Sequence, residues 1–303
     1  MKPRNALLPL ASILFAGCLE HPITQVELCK IGTPELPIKL EENGDVDILF
    51  VIDNSGSMAE EQSRLARNFE AFADRLDTMG AHYRIGFTTT DSGNPRCSGT
   101  TPEGGDLVLR SCLDRLGEGA FQFNDINAAY ACTDVCGLTG DQLAVRPSTA
   151  SGASDGQEAE PRPWIEKIDG VSNLPGGVSM ADAFACFGPQ GIDGCGFEQP
   201  LESMYRALQK ALEPSEGNHG FMRDNALLSV IFVTDETDCS YDPGHSDIFT
   251  SDKTFWESPD DPAPTSALCW NAGVACQGPG PVYDGCEPED YAADGTPGAA
   301  DGA

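Results

Sequence analysis

Five consecutive apolar residues, Ile48–Ile52, most of them β-branched or aromatic, predict a strand buried on both faces of a parallel sheet. Leu227–Val233 is a second run of this kind, followed by Thr234 and Asp235, and Tyr83–Asp91 reads as a third strand. Between the first and third, Leu65, Phe69, Phe72, Leu76 and Met79 recur at spacings of four and three. They predict a helix over 58–79 with one apolar stripe, and Gly80 is its natural stop. Strand, helix and strand in this order imply a right-handed parallel crossover. Two further helices are expected, one at about 179–187 and one at about 197–212. In the second, Leu201, Met204, Tyr205, Leu208 and Leu212 would form the buried stripe. The pattern is that of an α/β doubly wound, mostly parallel sheet flanked by helices, in a domain spanning 45–240.

The rhythm breaks over 92–175, where Gly, Pro, Ser, Asp and four cysteines dominate and 147–163 is almost free of apolar residues. This is read as a disulfide-stapled insertion on the ligand face, with an edge strand at 105–110 and an unstructured segment near 150–160. Residues 241–303 hold Pro, Gly, Asp and three cysteines without a convincing buried strand or amphipathic helix. The expectation there is an incomplete domain end, truncated at the C-terminus, whose last strands would be encoded downstream.

At the other end, Lys2 and Arg4 precede an apolar stretch, Ala6–Phe15, too short to span a membrane, and then Ala16–Gly17–Cys18. Residues 1–17 read as a signal peptide and 18–44 as a Pro-containing tether. The ending Leu14–Phe–Ala–Gly–Cys18 resembles the lipobox of bacterial lipoproteins, which implies an acylated Cys18, a lipid anchor in the cell envelope and, with Leu19 following, the outer membrane.

Chemistry concentrates where the first strand ends. Asp53, Ser55 and Ser57 are alternate residues bearing hard oxygen donors, with Gly56 loosening the turn. They sit at the carboxyl end of a strand, where open α/β sheets bind ligands, and such donors suit Mg²⁺, Mn²⁺ or Ca²⁺. D-x-S-x-S after an apolar strand resembles the metal-ion-dependent adhesion site of von Willebrand factor type A (VWA) domains. The resemblance implies two more ligands, usually a Thr and then an Asp at the end of another central strand. Asp235 matches the last. The loop Gly194–Leu201 contains no Thr, and Glu198 is the residue placed to stand in for it. A Thr would leave the cation hungry for an acidic group on a partner, whereas a Glu would partly quench it. The implied metal ligands are therefore Asp53, Ser55, Ser57, Glu198 and Asp235. Ser55 and Ser57 would bind the cation directly, Asp53 directly or through a water, and Asp235 through a water. Glu236 and Asp238 are either solvated loop acids or ligands of a second Ca²⁺. Family domains usually carry two further strand–helix units after the acidic strand.

Twelve cysteines without close C-x-x-C spacing favour disulfides over zinc or redox chemistry and fit export. Cys186–Cys195 is the favoured bridge, because the two flank a short loop. Cys97–Cys112, Cys132–Cys136, Cys239–Cys269 and Cys276–Cys286 follow from proximity alone, and an acylated Cys18 would leave an odd number.

A net charge of −30 repels nucleic acid and anionic headgroups and suits a cation-binding or merely well-solvated surface. His21, His82, His219 and His245 are scattered, Ser55 is not in a G-x-S-x-G elbow, and neither a P-loop nor a dinucleotide-binding glycine pattern occurs. No enzyme is expected. The resemblance implies an exported, lipid-anchored adhesion or protein-binding module that captures a carboxylate of a protein partner through Mg²⁺ (or Mn²⁺ or Ca²⁺). The alternative is a structural envelope lipoprotein in which the cation only stabilises loops; an enzyme is the least favoured reading.

Overall fold

A computed structural model describes residues 44–148, 159–280, 282–289, 291 and 294–297. The expected signal peptide, Cys18, nearly all of the tether and most of the unstructured segment near 150–160 lie outside these residues. In chain order the elements are β1 (Asp45–Ile52), α1 (Ala59–Thr78), β2 (His82–Thr89), α2 (Cys112–Gly117), β3 (Gln122–Phe123), β4 (Ile126–Asn127), α3 (Tyr130–Thr133), α4 (Gly140–Leu143), β5 (Trp164–Ile168), β6 (Val171–Ser172), α5 (Met180–Phe187), α6 (Pro200–Leu212), β7 (Leu227–Val233), α7 (Ala267–Gly273), β8 (Val274–Gln277) and β9 (Gly285–Pro288). A 3-10 turn at Pro243–Phe249 precedes α7.

Five strands form one mixed sheet in the order β6-β5-β2-β1-β7. The three apolar runs make its parallel centre, with β1 between β2 and β7, Phe50 opposite Phe87 on one side and Ile231 on the other. β5 and β6 add an antiparallel hairpin beyond β2, so the sheet is only partly parallel. The stretch 105–110 is not a strand. Val108 donates one backbone bond to Phe87, 2.9 Å, while β5 occupies the place beside β2 up to Gly86.

Alternation along β1 sends Ile48, Phe50 and Ile52 to one face and Leu49 and Val51 to the other, and helices cover both. Beneath α1 and α5, Phe50 lies 5.0 Å from Phe184 and 5.8 Å from Phe87 between ring centroids, and Phe69 stacks on Phe184. Removing the Phe184 ring leaves a cavity lined by these aromatics, so Phe184→Ala should cost about 3–5 kcal/mol, read as a lower denaturant midpoint at unchanged m-value.

On the opposite face α6 corrects its predicted stripe. Small residues, Ala207 and Ala211, pack with Leu49, Val51, Trp164 and Phe221 and let the helix approach the sheet closely, and Ser203, buried on the same helix, pairs with the Ser92 hydroxyl at 2.7 Å. Met204 and Leu208 are partly buried, while Leu201, Tyr205 and Leu212 are exposed. β7 is an edge strand among the described residues, and Leu227, Leu228 and Phe232 on it are exposed, Leu227 at 66 %.

Three of the expected disulfides are replaced. The bridges are Cys97–Cys195, Cys112–Cys132, Cys136–Cys186, Cys239–Cys269 and Cys276–Cys286. Cys186–Cys195, Cys97–Cys112 and Cys132–Cys136 do not form. Cys132 and Cys136 are one helical turn apart, the Cys136 amide bonding the Cys132 carbonyl, and each reaches a different helix, Cys112 on α2 and Cys186 on α5. The insertion folds back over the sheet, so partners lie up to 98 residues apart. Cys239–Cys269 and Cys276–Cys286 form as expected.

Residues after 240 contain more order than their pattern suggests. Phe249, Trp256 and Leu268 make a small buried cluster, and β8 and β9 pair as a hairpin. Arg96 and Lys253 lie over the Trp256 ring, at 5.5 and 4.6 Å. None of the described helices is long and apolar enough to cross a membrane.

Candidate metal centre

The carboxyl ends of β1, β2 and β7 bring Asp53, Thr90 and Asp235 to one rim of the sheet: the ladders of β1 and β2 continue one residue into their loops, and Asp235 lies two residues past β7. The Asp53 amide donates to the Val233 carbonyl at 2.9 Å and the Thr90 amide to that of Ile52 at 3.1 Å. Asp53 then turns the chain. Its Oδ1 accepts from the Ser55 amide at 2.8 Å, and its Oδ2 accepts from the Thr234 hydroxyl at 2.7 Å. Ser55 Oγ and Ser57 Oγ are 3.3 Å apart, and Ser57 Oγ donates to Asp235 Oδ1 at 3.1 Å. Four of the five residues predicted as ligands are thus linked directly.

Glu198 is bonded to none of these four but to a residue the pattern did not single out. Thr90 Oγ1 donates to Glu198 Oε2, and both side chains are wholly buried. The signal for Thr90 was its place: it follows a buried strand as Asp53 does, in Thr88–Thr89–Thr90–Asp91. Asp91, also buried, accepts from the amides of Gly93 (2.9 Å) and Cys195 (3.2 Å) and so shapes the loop that carries Glu198.

Buried amides and a glutamine hold the rim. Gln62 on α1 donates to the carbonyls of Asp53 (2.7 Å) and Gly191 (2.8 Å) and accepts from the amides of Gln190 and Gly191. The Asn54 side chain fills the space that a Cβ on Gly194 would need, at 2.3 Å. A Cβ on Gly56 would likewise meet the Phe123 ring of the β3–β4 hairpin at 2.4 Å. Asp238 does not belong to this rim. It accepts from the Leu201 amide at 3.0 Å and from Ser240, satisfying the first turn of α6.

The electrostatics are one-sided. Burial raises the Glu198 carboxyl to about 9, and the negative charge of Asp53 adds to this; the Thr90 hydrogen bond opposes it. Burial also raises Asp53, against hydrogen bonds from Thr234 and Ser55 and with Asp235 adding. Glu236 is raised by burial and then by Asp235 and Asp53. The charged groups acting on these three are all carboxylates. Glu198 Oε1 and Asn54 Oδ1, both buried, have no hydrogen-bond partner. Among the described residues no three His, Cys, Asp or Glu side chains form a ready cage for a metal. The donor set is instead mixed: hydroxyls from Ser55, Ser57 and Thr90 with carboxylates from Asp53, Glu198 and Asp235. Hard oxygen donors, acidic groups whose ionisation is resisted by burial and by one another, and an unpaired carboxyl oxygen fit a divalent cation such as Mg²⁺, which would favour their ionised forms.

Comparison with models of known protein families, with curated proteins and with solved structures finds no match to this chain.

Proposed function

We propose that this rim binds a divalent cation, Mg²⁺ or its substitutes Mn²⁺ and Ca²⁺, and that the chain is a VWA-type protein which captures a carboxylate of a protein partner through that cation. The observation carrying the reading is the buried, unpaired Glu198 Oε1 beside Asp53, in a cluster whose charges are all negative. Burying carboxylates without a counter-charge is costly, and a cation at this place would offset it. Asp53, Ser55, Ser57 and Glu198 would hold the ion, and Asp235, already bonded to Ser57, would orient the hydroxyl. The ion would supply Lewis acidity toward an incoming carboxylate. Ser57 and Asp235 are exposed, whereas Asp53, Ser55 and Glu198 are buried, and so mark the side from which a partner would enter. Export, the lipid anchor at Cys18 and an envelope location belong to the same proposal, as does a non-enzymatic role.

Glu198 also favours the second reading. A protein carboxylate already in the site takes the place a partner's would, and the cation would then tie the three loops together without a ligand from outside.

Calorimetric titration of Mg²⁺ and Mn²⁺ into the oxidised chain tests both. The parent is expected to bind, and Asp53→Ala and Ser57→Ala to weaken binding at least 100-fold while still unfolding cooperatively. No binding by a folded parent removes the cation from the account. Binding without any gain in affinity for acetate or an aspartyl peptide favours the structural role.

A further inference from the structure

Between Phe187, where α5 ends, and Pro200, where α6 begins, the chain that carries Glu198 has no helix or strand. Its course is set by a few bonds. The Gly194 amide donates to the Asn54 carbonyl at 2.8 Å, the Gln199 amide to that of Thr90 at 3.0 Å, and the Gln199 side chain to that of Gly93 at 2.9 Å. Residues 190–192 are held by the Gln62 side chain and the Ala120 carbonyl, Phe197 packs on Phe249, and the other contacts close to Glu198 involve cysteines. Cys195 donates its amide to Asp91 and is bridged to Cys97; its sulfur accepts from the Phe197 amide at 3.3 Å; and the Cys239 amide donates to the Glu198 carbonyl at 2.6 Å.

We propose that the Cys97–Cys195 bridge is a positioning cross-link for the cation site: it joins the loop after β2, which carries Thr90, to the loop before α6, which carries Glu198, and opening it lowers the affinity for the cation. The inference rests on the reading of the rim as a cation site. Cys239–Cys269 meets the Glu198 segment through the Cys239 amide alone and joins it to no other site loop. Cys112–Cys132 and Cys136–Cys186 are buried among α2, α3 and α5, and Cys276–Cys286 lies in the separate β8–β9 hairpin. Cys195 is buried but Cys97 is only half-buried, so its sulfur is the reachable one. Attack there by the thiolate of a dithiol expels the Cys195 thiolate and leaves a mixed disulfide. The reagent's second thiol then closes its own cyclic disulfide and frees Cys97, so that two electrons and two protons pass to the protein. Without the bridge the Glu198 carboxyl keeps its bond from Thr90, and the segment keeps its main-chain bonds, the Gln199 side-chain bond and the Phe197 packing, but its covalent tie at Cys195 is lost; loss of such orientation weakens metal sites about 10–100-fold.

The test is a Mn²⁺ titration of the full chain, followed by the paramagnetic signal of the free ion. Cys97→Ser/Cys195→Ser should bind Mn²⁺ 10–100-fold more weakly than the parent, and Cys276→Ser/Cys286→Ser should match it. Because the bridge acts through Glu198, Glu198→Gln should weaken binding in the parent but add less than threefold in the bridge-free background. A bridge-free chain that binds like the parent, or an equal effect of Glu198→Gln in both backgrounds, overturns the proposal. A folded parent that binds no Mn²⁺ overturns the cation reading itself, and the proposal with it. If the double variant does not fold, brief dithiothreitol treatment of the folded parent, with alkylation at Cys97 and Cys195 verified, gives the same comparison.

Discussion

Glu198→Gln is expected to stabilise the cation-free protein at pH 7 by about 3 kcal/mol and, in the same stroke, to weaken cation binding. In the fold the Glu198 carboxyl keeps its proton up to about pH 9, against an ordinary value of 4.5, because it is buried beside Asp53. Between those limits the folded chain holds a proton that the unfolded chain has released. Stability contributed by this group is therefore complete below about pH 4.5 and declines as pH rises, by about 1.4 kcal/mol per unit, until it levels off near pH 9. At pH 7 roughly half of that fall has taken place. Glutamine keeps the shape and can still accept the Thr90 hydrogen bond, but it does not titrate, so the variant should lack this component of the slope. Urea unfolding of both proteins at pH 5, 7 and 8.5 in chelator measures it. Curves that remain parallel at all three pH values would show that Glu198 ionises freely in the fold. With cation present the order should reverse, since binding must displace the Glu198 proton, and the parent should gain affinity as pH rises.

Arg84→Met is expected to destabilise the fold by about 3–5 kcal/mol, because it leaves a buried carboxylate without its partner. Asp47, Arg84 and Glu166 lie opposite one another across β1, β2 and β5, forming a charged row through an otherwise apolar sheet. Arg84 Nε donates to Glu166 at 2.9 Å, its Nη1 reaches the Gly220 carbonyl at 2.5 Å, and its guanidinium lies over the Trp164 ring. Arg223 closes the row with a 2.8 Å bond to Asp47. Burial lowers the Arg84 pKa, and the Glu166 charge opposes this, so pairing keeps the group charged. Glu166 would remain hydrogen-bonded to Trp164 Nε1 in the variant, but without a positive charge. Arg84→Met/Glu166→Gln should recover much of the loss, and a double-mutant cycle by denaturant unfolding gives the coupling. A single variant within 1 kcal/mol of the parent would mean that water reaches the row.

The sheet centre and α1 were legible because their signals are local. An unbroken apolar run from Ile48 to Ile52 and a stripe of Leu65, Phe69, Phe72 and Leu76 admit few other structures. Asp53, Ser55, Ser57 and Asp235 were legible for the same reason, since each follows a recognisable strand. What failed depended on distance or size. Cys97 and Cys195 meet only because the insertion folds back, and no spacing rule reports that. In α6 the largest residues suggested the buried face, yet close helix–sheet packing selected Ser203, Ala207 and Ala211. Thr90 went unread because a threonine ending a strand is ordinary until Glu198 is seen beside it.

The exposed apolar side chains of β7, the edge strand among the described residues, make colloidal behaviour a matter of ionic strength. An apolar strand with no paired neighbour along one side among the described residues invites another copy to extend the sheet. A chain carrying −30 charges resists that meeting at long range, but only while its field reaches far enough. Near 0.01 M salt the screening length is about 30 Å and copies repel before they touch; at 0.15 M it is about 8 Å, comparable to the reach of the side chains themselves. Salt, more than temperature, should decide whether this protein stays dispersed.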